Sequence, residues 1–186
     1  IPGALAVTSC DRVAAAFIVI GHEILSGRTQ DANLSFLAGR LGEIGIQVVE
    51  ARVIPDVEQT IIDTVQTLSA QVDYVFTSGG IGPTHDDITA DAVAKAFGTE
   101  TLEDPEAVAL LEAHYAAGEF NAARRKMARV PRGSTLLANP VSTAPGFRIG
   151  NVHVLAGVPK IMQAMVDMLL PGLTGGAVVE SRTITV

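Results

Sequence analysis

Apolar and polar residues follow two patterns along the chain, and each predicts a different element. Short, mainly apolar runs that end at turn residues predict strands over Ala15–Ile20, Ile46–Ile54 and Tyr74–Thr77. Between these runs, apolar residues recur at spacings of three and four, which predicts amphipathic helices. The predicted helices are Asn33–Ile44, Val57–Leu68, about Asp87–Phe97, Pro105–Ala117 and Pro159–Leu170.

The pattern changes in the last third of the chain. Short strands are predicted at Leu136–Leu137, Gly146–Ile149 and Asn151–Leu155, and Gly150-Asn151 is typical of a tight hairpin. A further strand is predicted over Ser181–Val186. Because strands alternate with helices over most of the chain, the sequence predicts the α/β class. The expected architecture is an open, mostly parallel sheet with right-handed crossovers and helices on both faces.

Length and charge narrow the class of protein. The chain has 186 residues, which suits one domain, and its net charge of −7 argues against binding of nucleic acid. No apolar run reaches the roughly 18 residues that span a bilayer, so no membrane partner is expected. The single cysteine, Cys10, excludes an intramolecular disulfide and favours a reducing, cytoplasmic location. Sparse charge and Ala/Val-rich helices predict apolar surface that a homo-oligomer would cover.

The glycine-rich segment after the third predicted strand is the most informative candidate site. It reads Ser78-Gly79-Gly80-Ile81-Gly82-Pro83-Thr84-His85-Asp86-Asp87-Ile88-Thr89 and lacks the Gly-Lys-Ser/Thr of a P-loop. Glycines let backbone N–H groups approach a ligand at the carboxyl end of a strand, beside a helix N-terminus. Two interpretations of its acids stay open. Thr84 and Asp87 resemble a capping box, or the carboxylates hold Mg²⁺ against phosphate.

The loops after the first two predicted strands carry further candidates. Gly21–Asn33 is longer and more polar than a plain connection needs. Within it, Glu23 is a metal ligand or a solvated acid, and Ser26 and Asn33 bind a ligand or cap the next helix. Asp56, after the second strand, is an N-cap or a metal carboxylate.

Three more stretches have the composition of binding segments. Asn121–Arg132 carries five basic residues in an acidic chain. This pattern predicts a solvated helix face for most of them, and one or two could bind phosphate. Asn139–Gly146 and Gly157–Pro159 are rich in Pro and Gly, which suits bare turns or a preorganised pocket wall. Pro159 is a favourable first residue for a helix whose free N–H groups would meet an anion.

Taken together, these motifs resemble one family. GHEILSGRTQDAN, VIPD, TSGGIGPTHDDITADAVA, ARRKMARVP, NPVSTAPGF and LAGVP follow the order seen in the molybdopterin-binding fold of MoaB, MogA and CinA-like proteins. The chain is most similar to the N-terminal domain of CinA-like competence/damage-inducible proteins and to the related domain of eukaryotic FAD synthase. The resemblance implies a domain over residues 14–173, an N-terminal extension over 1–13, and the start of a C-terminal continuation over 174–186.

The resemblance also implies a three-layer α/β/α sandwich, a homo-oligomer (dimer or trimer), and metal-dependent handling of adenylated or pyrophosphate-containing ligands. MogA-like members bind molybdopterin or its adenylate. CinA-like members are similar to ADP-ribose pyrophosphatases, and the FAD synthase domain is associated with FAD hydrolysis. By position, the family's functional aspartates fall on Asp87 and Asp56. His22 stands where the family's usual motif has an acid, so no metal role carries over to it.

These expectations lead to two hypotheses about a nucleotide or pterin ligand. In the first, the protein is an enzyme that hydrolyses a nucleotide pyrophosphate such as ADP-ribose or FAD. Its catalytic residues would be Asp87 and Asp56, and Mg²⁺ or Co²⁺ would be held by Asp87, Asp86, Asp56 and Glu23. In the second, it binds molybdopterin without turning it over. The expected substrate-binding residues are Ser78, Gly79, Gly80, Gly82, Thr84, Ser26, Asn33, Asn139, Thr143, Ala144, Gly146, Gly157 and Pro159.

Overall fold

The computed structural model describes residues 12–178 and contains a six-stranded mixed sheet. Its strands are β1 (Val13–Ile20), β2 (Ile46–Ile54), β3 (Tyr74–Ser78), β6 (Thr135–Leu137), β7 (Gly146–Ile149) and β8 (Val152–Leu155). The spatial order is β2-β1-β3-β8-β7-β6, with β2, β1, β3 and β8 parallel and β7 antiparallel to both of its neighbours. The carboxyl ends of the four parallel strands therefore meet at one edge of the sheet, together with the start of β7.

Helices cover both faces of this sheet, because successive residues of a strand point to opposite sides. The helices are α1 (His22–Leu25), α2 (Asn33–Glu43), α3 (Glu58–Ser69), α4 (Thr89–Ala96) and α7 (Pro159–Leu169). Ile18 of β1 shares a core with α3 and α4, whereas its neighbour Phe17 shares a second core with α2 and α7. The predicted three-layer α/β/α sandwich is confirmed.

A small subdomain interrupts the main domain after α4. It contains β4 (Thr101–Glu103), α5 (Pro105–His114), α6 (Ala122–Arg125), a 3₁₀ turn (Lys126–Ala128) and β5 (Arg129–Pro131), and β4 pairs with β5 antiparallel. Its own core is formed by Ala107, Leu111 and Ala128. Asp104 caps α5 by accepting hydrogen bonds from the backbone N–H groups of Glu106 and Ala107. The subdomain thus presents the basic stretch of the sequence on a separate unit beside the sheet.

Most predicted elements are confirmed, with ends shifted by three residues or fewer. The sequence did not predict α1, β4 or β5, because elements of three or four residues are too short to show a period. The basic stretch Asn121–Arg132 is a short helix, a 3₁₀ turn and a strand, and the single helix face expected there is wrong. Helix α4 begins at Thr89, two residues after Asp87, because Asp87 belongs to a preceding turn.

Both ends of the chain lie partly beyond the described residues. Cys10 and the strand predicted over Ser181–Val186 fall outside them. The backbone N–H of Gly176 donates to the carbonyl of Gly45 at 3.2 Å, so this part of the predicted C-terminal continuation contacts the domain. Between residues 12 and 178, no helix has the length and apolar character needed to cross a membrane.

Candidate functional site

The loops that follow β1, β2, β3 and β8 touch one another at the carboxyl edge of the sheet. The N–H of Gly21 donates to the carbonyl of Ile54 at 3.0 Å, and Nδ2 of Asn33 donates to the carbonyl of Gly157 at 2.9 Å. A Cβ built on Gly157 would lie only 3.1 Å from Cα of Gly79, so the loops after β3 and β8 are in close contact. Two clefts flank this contact.

The backbone of the segment after β3 is shaped by two glycines and one buried threonine. Gly79 (φ 104°) and Gly80 (φ 70°) occupy the left-handed region, and a Cβ on Gly80 would collide with Oγ1 of Thr89. Oγ1 of Thr89 donates to the carbonyl of Gly79, and its backbone N–H donates to the carbonyl of Gly80, both at 3.0 Å. Thr89 thereby anchors two carbonyl groups of the loop from below.

The N–H groups of the same loop are left without partners. Among residues 12–178, the backbone N–H groups of Gly80, Ile81 and Gly82 donate to no protein group. Successive unpaired N–H groups next to glycines of positive φ form an anion-binding concavity. They open into the first cleft, which we call the glycine-loop cleft. Its lining includes Gly80, Ile81, Gly82, Asp87, Asp91, Lys126, Arg129, Pro145 and Phe147.

Two basic side chains of the small subdomain reach the glycine-loop cleft. Nζ of Lys126 lies 2.5 Å from the carbonyl oxygen of Thr84, which ties the 3₁₀ turn to the loop after β3. Nη2 of Arg129 lies 2.8 Å from Oγ1 of Thr101 and 3.4 Å from Oδ1 of Asp91. The lining thus combines unpaired amides with two cations and with the carboxylates of Asp87 and Asp91, and Arg129 is paired with Asp91.

Asp87 has a structural role in this cleft and also contributes a carboxylate to its lining. Its Oδ2 accepts hydrogen bonds from the backbone N–H of Thr84 at 2.8 Å and from Oγ1 of Thr84 at 2.6 Å. A Cβ on Gly82 would lie 2.8 Å from the same oxygen, so the carboxylate packs directly on the glycine. Both hydrogen bonds use Oδ2, and Oδ1 accepts none from the described residues.

The other acids predicted to bind metal lie in separate places. Asp86 is exposed beside His85, with Oδ1 and Nε2 3.0 Å apart. Oδ2 of Asp56 accepts a hydrogen bond from the N–H of His22 at 3.0 Å, and Glu23 lines the second cleft. Between residues 12 and 178, no three His, Cys, Asp or Glu side chains form a group that could hold a metal ion. The structure therefore does not bring the predicted metal carboxylates together as one preformed centre.

The second cleft lies on the other side of the contact between Gly79 and Gly157, and we call it the Asn33 cleft. Its polar lining residues are Glu23, Thr29, Gln30, Asp31, Asn33 and Ser78, and Gly157 and Pro159 form part of its wall. Asn33 is buried, with 4% of its surface exposed, and its Oδ1 has no hydrogen-bond partner. Five predicted substrate residues thus lie together here or beside it: Asn33, Ser78, Gly79, Gly157 and Pro159.

The remaining predicted substrate residues make mainly internal contacts. The Asn139 side chain donates to Oγ of Ser142 and the carbonyl of Ala144, and accepts from the N–H groups of Val141 and Ser142. Oγ1 of Thr143, whose φ is 67°, lies 3.0 Å from Nδ1 of His114. A Cβ on Gly146 would lie 2.6 Å from Cε of Met165, and Ser26 donates to the carbonyl of Glu23 at 3.2 Å.

The predicted substrate-binding residues did not name Thr89, which holds the loop after β3, or Lys126 and Arg129, which line the glycine-loop cleft. Thr89 closes the GGIGPTHDDIT motif, so its position in the motif was the available signal. Lys126 and Arg129 belong to the basic stretch, but its five cations cannot be ranked by sequence. The structure separates them, because Lys126 and Arg129 line the cleft. Arg124 instead stacks 4.2 Å from the Tyr115 ring centre, and Arg125 pairs with Glu103 at 2.8 Å.

Comparison with known protein families and sequences extends this picture. A family model described as "Probable molybdopterin binding domain" matches residues 16–175. A CinA-like protein of Citrifermentans bemidjiense is 41% identical over 167 residues, which cover 86% of this chain and 40% of that protein. A protein of Pyrobaculum calidifontis is 38% identical over 182 residues, which cover 92% of this chain and 70% of that protein. The chain thus spans about two fifths of the CinA-like relative.

Solved structures share the same architecture. The protein CinA from Thermoplasma acidophilum, described as having unknown function, aligns with a TM-score of 0.80 at 35% identity, covering 86% of this chain and 96% of that one. The molybdopterin biosynthesis enzyme MoaB from Thermus thermophilus aligns with a TM-score of 0.58 at 18% identity, covering 87% of this chain and 91% of that one. At this identity, the similarity to MoaB shows a shared fold and nothing more.

Proposed function

This chain belongs to the molybdopterin-binding domain family, and from that premise we propose that it binds the phosphate end of a nucleotide or pterin in the glycine-loop cleft. We further propose that it hydrolyses a nucleotide pyrophosphate of the ADP-ribose or FAD type with a divalent metal. The bound ligand places its phosphate oxygens against the loop after β3. The small subdomain contributes cations from the other side.

The observation that carries this proposal is the orientation of the peptide groups in the loop. Thr89 holds the carbonyl groups of Gly79 and Gly80, and the N–H groups of Gly80, Ile81 and Gly82 have no partner among residues 12–178. Unpaired backbone donors that are already oriented need no reorganisation to meet a phosphate. Lys126 and Arg129 lie at the same cleft, where they offset the carboxylates of Asp87 and Asp91 and can contact a phosphate oxygen.

One carboxylate, that of Asp87, fits a metal ion that is shared with the ligand. Mg²⁺ commonly uses one or two protein carboxylates, with phosphate oxygens and waters completing its shell. Asp87 would hold such an ion through Oδ1, the oxygen that is free of the bonds to Thr84. When bound, the ion neutralises phosphate charge and activates water. Asp87 itself keeps the loop folded over Gly82 through its other oxygen.

A second function, binding of molybdopterin without hydrolysis, is favoured by a different observation. A family model described as "Probable molybdopterin binding domain" covers residues 16–175 of the chain. A site that only binds a phosphate-bearing pterin needs the backbone donors and cations but no activated water. The same cleft therefore supports both functions, which differ in whether a phosphoanhydride is broken.

Product analysis separates the two functions. The protein is incubated with ADP-ribose or FAD and with Mg²⁺ or Co²⁺, and release of AMP is followed by chromatography. Metal-dependent release of AMP that is lost on replacing Asp87 supports the enzyme. Tight binding of a phosphorylated pterin with no AMP release supports the binder. If neither ligand class binds at millimolar concentration, the assignment of the glycine-loop cleft as a phosphate site is wrong.

A further inference from the structure

Strand β2 forms one edge of the six-stranded sheet. Among residues 12–178, it pairs only with β1. The carbonyl of Ile54 accepts a hydrogen bond from the N–H of Gly21, the residue that follows β1, so the backbone groups of Ile54 point toward the sheet. Because successive residues of a strand direct their N–H and C=O groups to opposite sides, those of Ala51 and Val53 point outward. An edge of this kind can pair with a strand of another chain.

The side chains along this edge are apolar and exposed on one face of the sheet. Val49 and Val53 are 55% and 42% exposed, and Ala51 between them is exposed as well. Ala51 pairs with Phe17 of β1, whose side chain lies in the core under α2 and α7, and Val53 points to the same face. The helices of that face therefore leave this part of β2 uncovered. Apolar side chains beside unpaired backbone groups indicate a contact surface.

Two charged residues alternate with these apolar residues. Glu50 and Arg52 are partly exposed, and Nε of Arg52 lies 2.6 Å from Oε1 of Glu50. If two β2 strands met antiparallel with Ala51 on a twofold axis, Glu50 of each copy would lie opposite Arg52 of the other. Val49, where a bulge interrupts the pairing with β1, would lie opposite Val53. Centring the pair on Glu50 or on Arg52 would instead place like charges opposite each other, which is destabilising.

We propose that β2 pairs antiparallel with β2 of a second copy of this chain, about a twofold axis at Ala51. The outward N–H and C=O groups of the two Ala51 residues bond to each other, and the two sheets become continuous. Glu50 and Arg52 then occupy non-hydrogen-bonded positions, where side chains of opposite strands approach most closely. The contact is isologous, so this ion pair forms twice. The inference goes beyond the proposed function, since no residue of β2 lines either cleft.

Sedimentation equilibrium between about 1 and about 100 μM tests the inference, since one strand pair is a small interface that should dissociate on dilution. The native chain is expected to form dimers in this range. Glu50→Arg and Arg52→Glu each bring like charges together in both cross-strand pairs, so each variant should self-associate at least about tenfold more weakly. An equimolar mixture of the two variants should dimerise with about native affinity, because a strand with two bases then faces a strand with two acids. The ion pair within one chain cannot produce this rescue, since both variants lack it.

A control variant and a second measurement complete the test. Arg132→Glu makes the same charge change at an exposed ion pair of the small subdomain and should dimerise like the native chain. In the native chain, the amides of Ala51 and Val53 should exchange hydrogen more slowly as concentration rises, a result that does not depend on any variant folding.

Five results would overturn the inference. They are a native chain that stays monomeric at the highest concentration, single variants that assemble like the native chain, a mixture that stays dissociated, loss of the dimer in Arg132→Glu, and amide exchange that is independent of concentration. None of them bears on phosphate binding in the glycine-loop cleft.

Discussion

Two Gly- and Pro-containing loops at the carboxyl edge of the sheet differ in where their hydrogen bonds go. In the loop after β3, Thr89 donates to the carbonyl groups of Gly79 and Gly80, and the N–H groups of Gly80 to Gly82 have no partner among residues 12–178. In the Asn139–Gly146 loop, the Asn139 side chain takes both kinds of group, bonding two backbone N–H groups and the carbonyl of Ala144. The loop after β3 presents unpaired backbone donors, whereas the Asn139–Gly146 loop is stabilised by hydrogen bonds to its own Asn139 side chain.

The comparison teaches that a backbone group already bonded within a loop contributes to stability, whereas an oriented but unpaired group contributes to binding. Changes in the glycine-loop cleft should therefore alter affinity or turnover with little effect on unfolding. Changes in the Asn139–Gly146 loop and the strands beneath it should alter the free energy of unfolding with little effect on ligand affinity. The predictions below challenge this division.

The largest expected effect is on the stability of the scaffold at acid pH. His153 of β8 is 3% exposed and stacks on Phe76 at 5.0 Å, and burial lowers the pKa of His153 from 6.5 to about 4. Between these pH values the unfolded chain binds a proton that the folded chain excludes. The free energy of unfolding should therefore fall as pH drops from 6.5 toward 4, by up to about 3 kcal/mol from this residue.

Urea unfolding from pH 7.5 to 4.5 measures this effect, with His153→Phe as the comparison. Phenylalanine keeps an aromatic ring against Phe76 and removes the titrating group. The variant should lose much less stability than the native chain over the same range. Equal pH dependence of the free energy of unfolding in the two proteins would show that titration of His153 does not cause the loss of stability at acid pH.

Asp87→Asn should mainly lower metal-dependent turnover and have a small effect on stability. Asparagine keeps an oxygen that can accept from Thr84, so the cost in stability should be about 1 kcal/mol or less. An amide is a poor ligand for a hard cation, so metal-dependent turnover should fall by about 100-fold or more. Asp63→Asn, an exposed change of the same charge on α3, should leave both quantities near the native values. Early melting of Asp87→Asn with normal turnover per folded molecule would restrict Asp87 to stabilising the turn through Thr84.

Asn139→Ala, in the Asn139–Gly146 loop, should lower stability and leave ligand affinity nearly unchanged. The side chain is 7% exposed and makes four hydrogen bonds within its loop. Its loss should lower the free energy of unfolding by about 2 kcal/mol, since buried partners are left unpaired. Ligand affinity per folded molecule should stay within about threefold. Asn121→Ala, which removes an exposed cap of α6, should cost about half as much. A steep loss of affinity with unchanged stability would place Asn139 at the ligand instead.

The sequence predicted the fold well because the sheet and its helices carry long apolar patterns. Strands β1 and β3 are continuous buried runs, whereas helices α2 and α3 each bury one face, and both patterns are visible without coordinates. The small subdomain was missed in part. Its strands β4 and β5 have three residues each, and their pairing depends on contacts between Thr101–Glu103 and Arg129–Pro131, far apart in the chain.

The candidate site was predictable in its location but not in its division into two clefts. Residues of the glycine motif and of the loops after β1 and β8 were predicted to bind one ligand, and these loops are in contact. The assignment of Asn139 and Gly157 to the same group of residues followed from composition alone, which cannot show that one side chain is bonded internally while the other residue borders a cleft. Likewise, sequence could not show which cations of Asn121–Arg132 point back to the loop after β3.

The central claim, that the glycine-loop cleft binds phosphate, is tested most directly by titrating inorganic pyrophosphate into the native chain and Lys126→Met. Lys126 is the cation that contacts the loop after β3, so its loss should weaken binding by about tenfold at low salt. Lys95→Met, which removes the same charge from the exposed side of α4, should bind like the native chain. Equal weakening in both lysine variants, or no change in Lys126→Met, would contradict the claim.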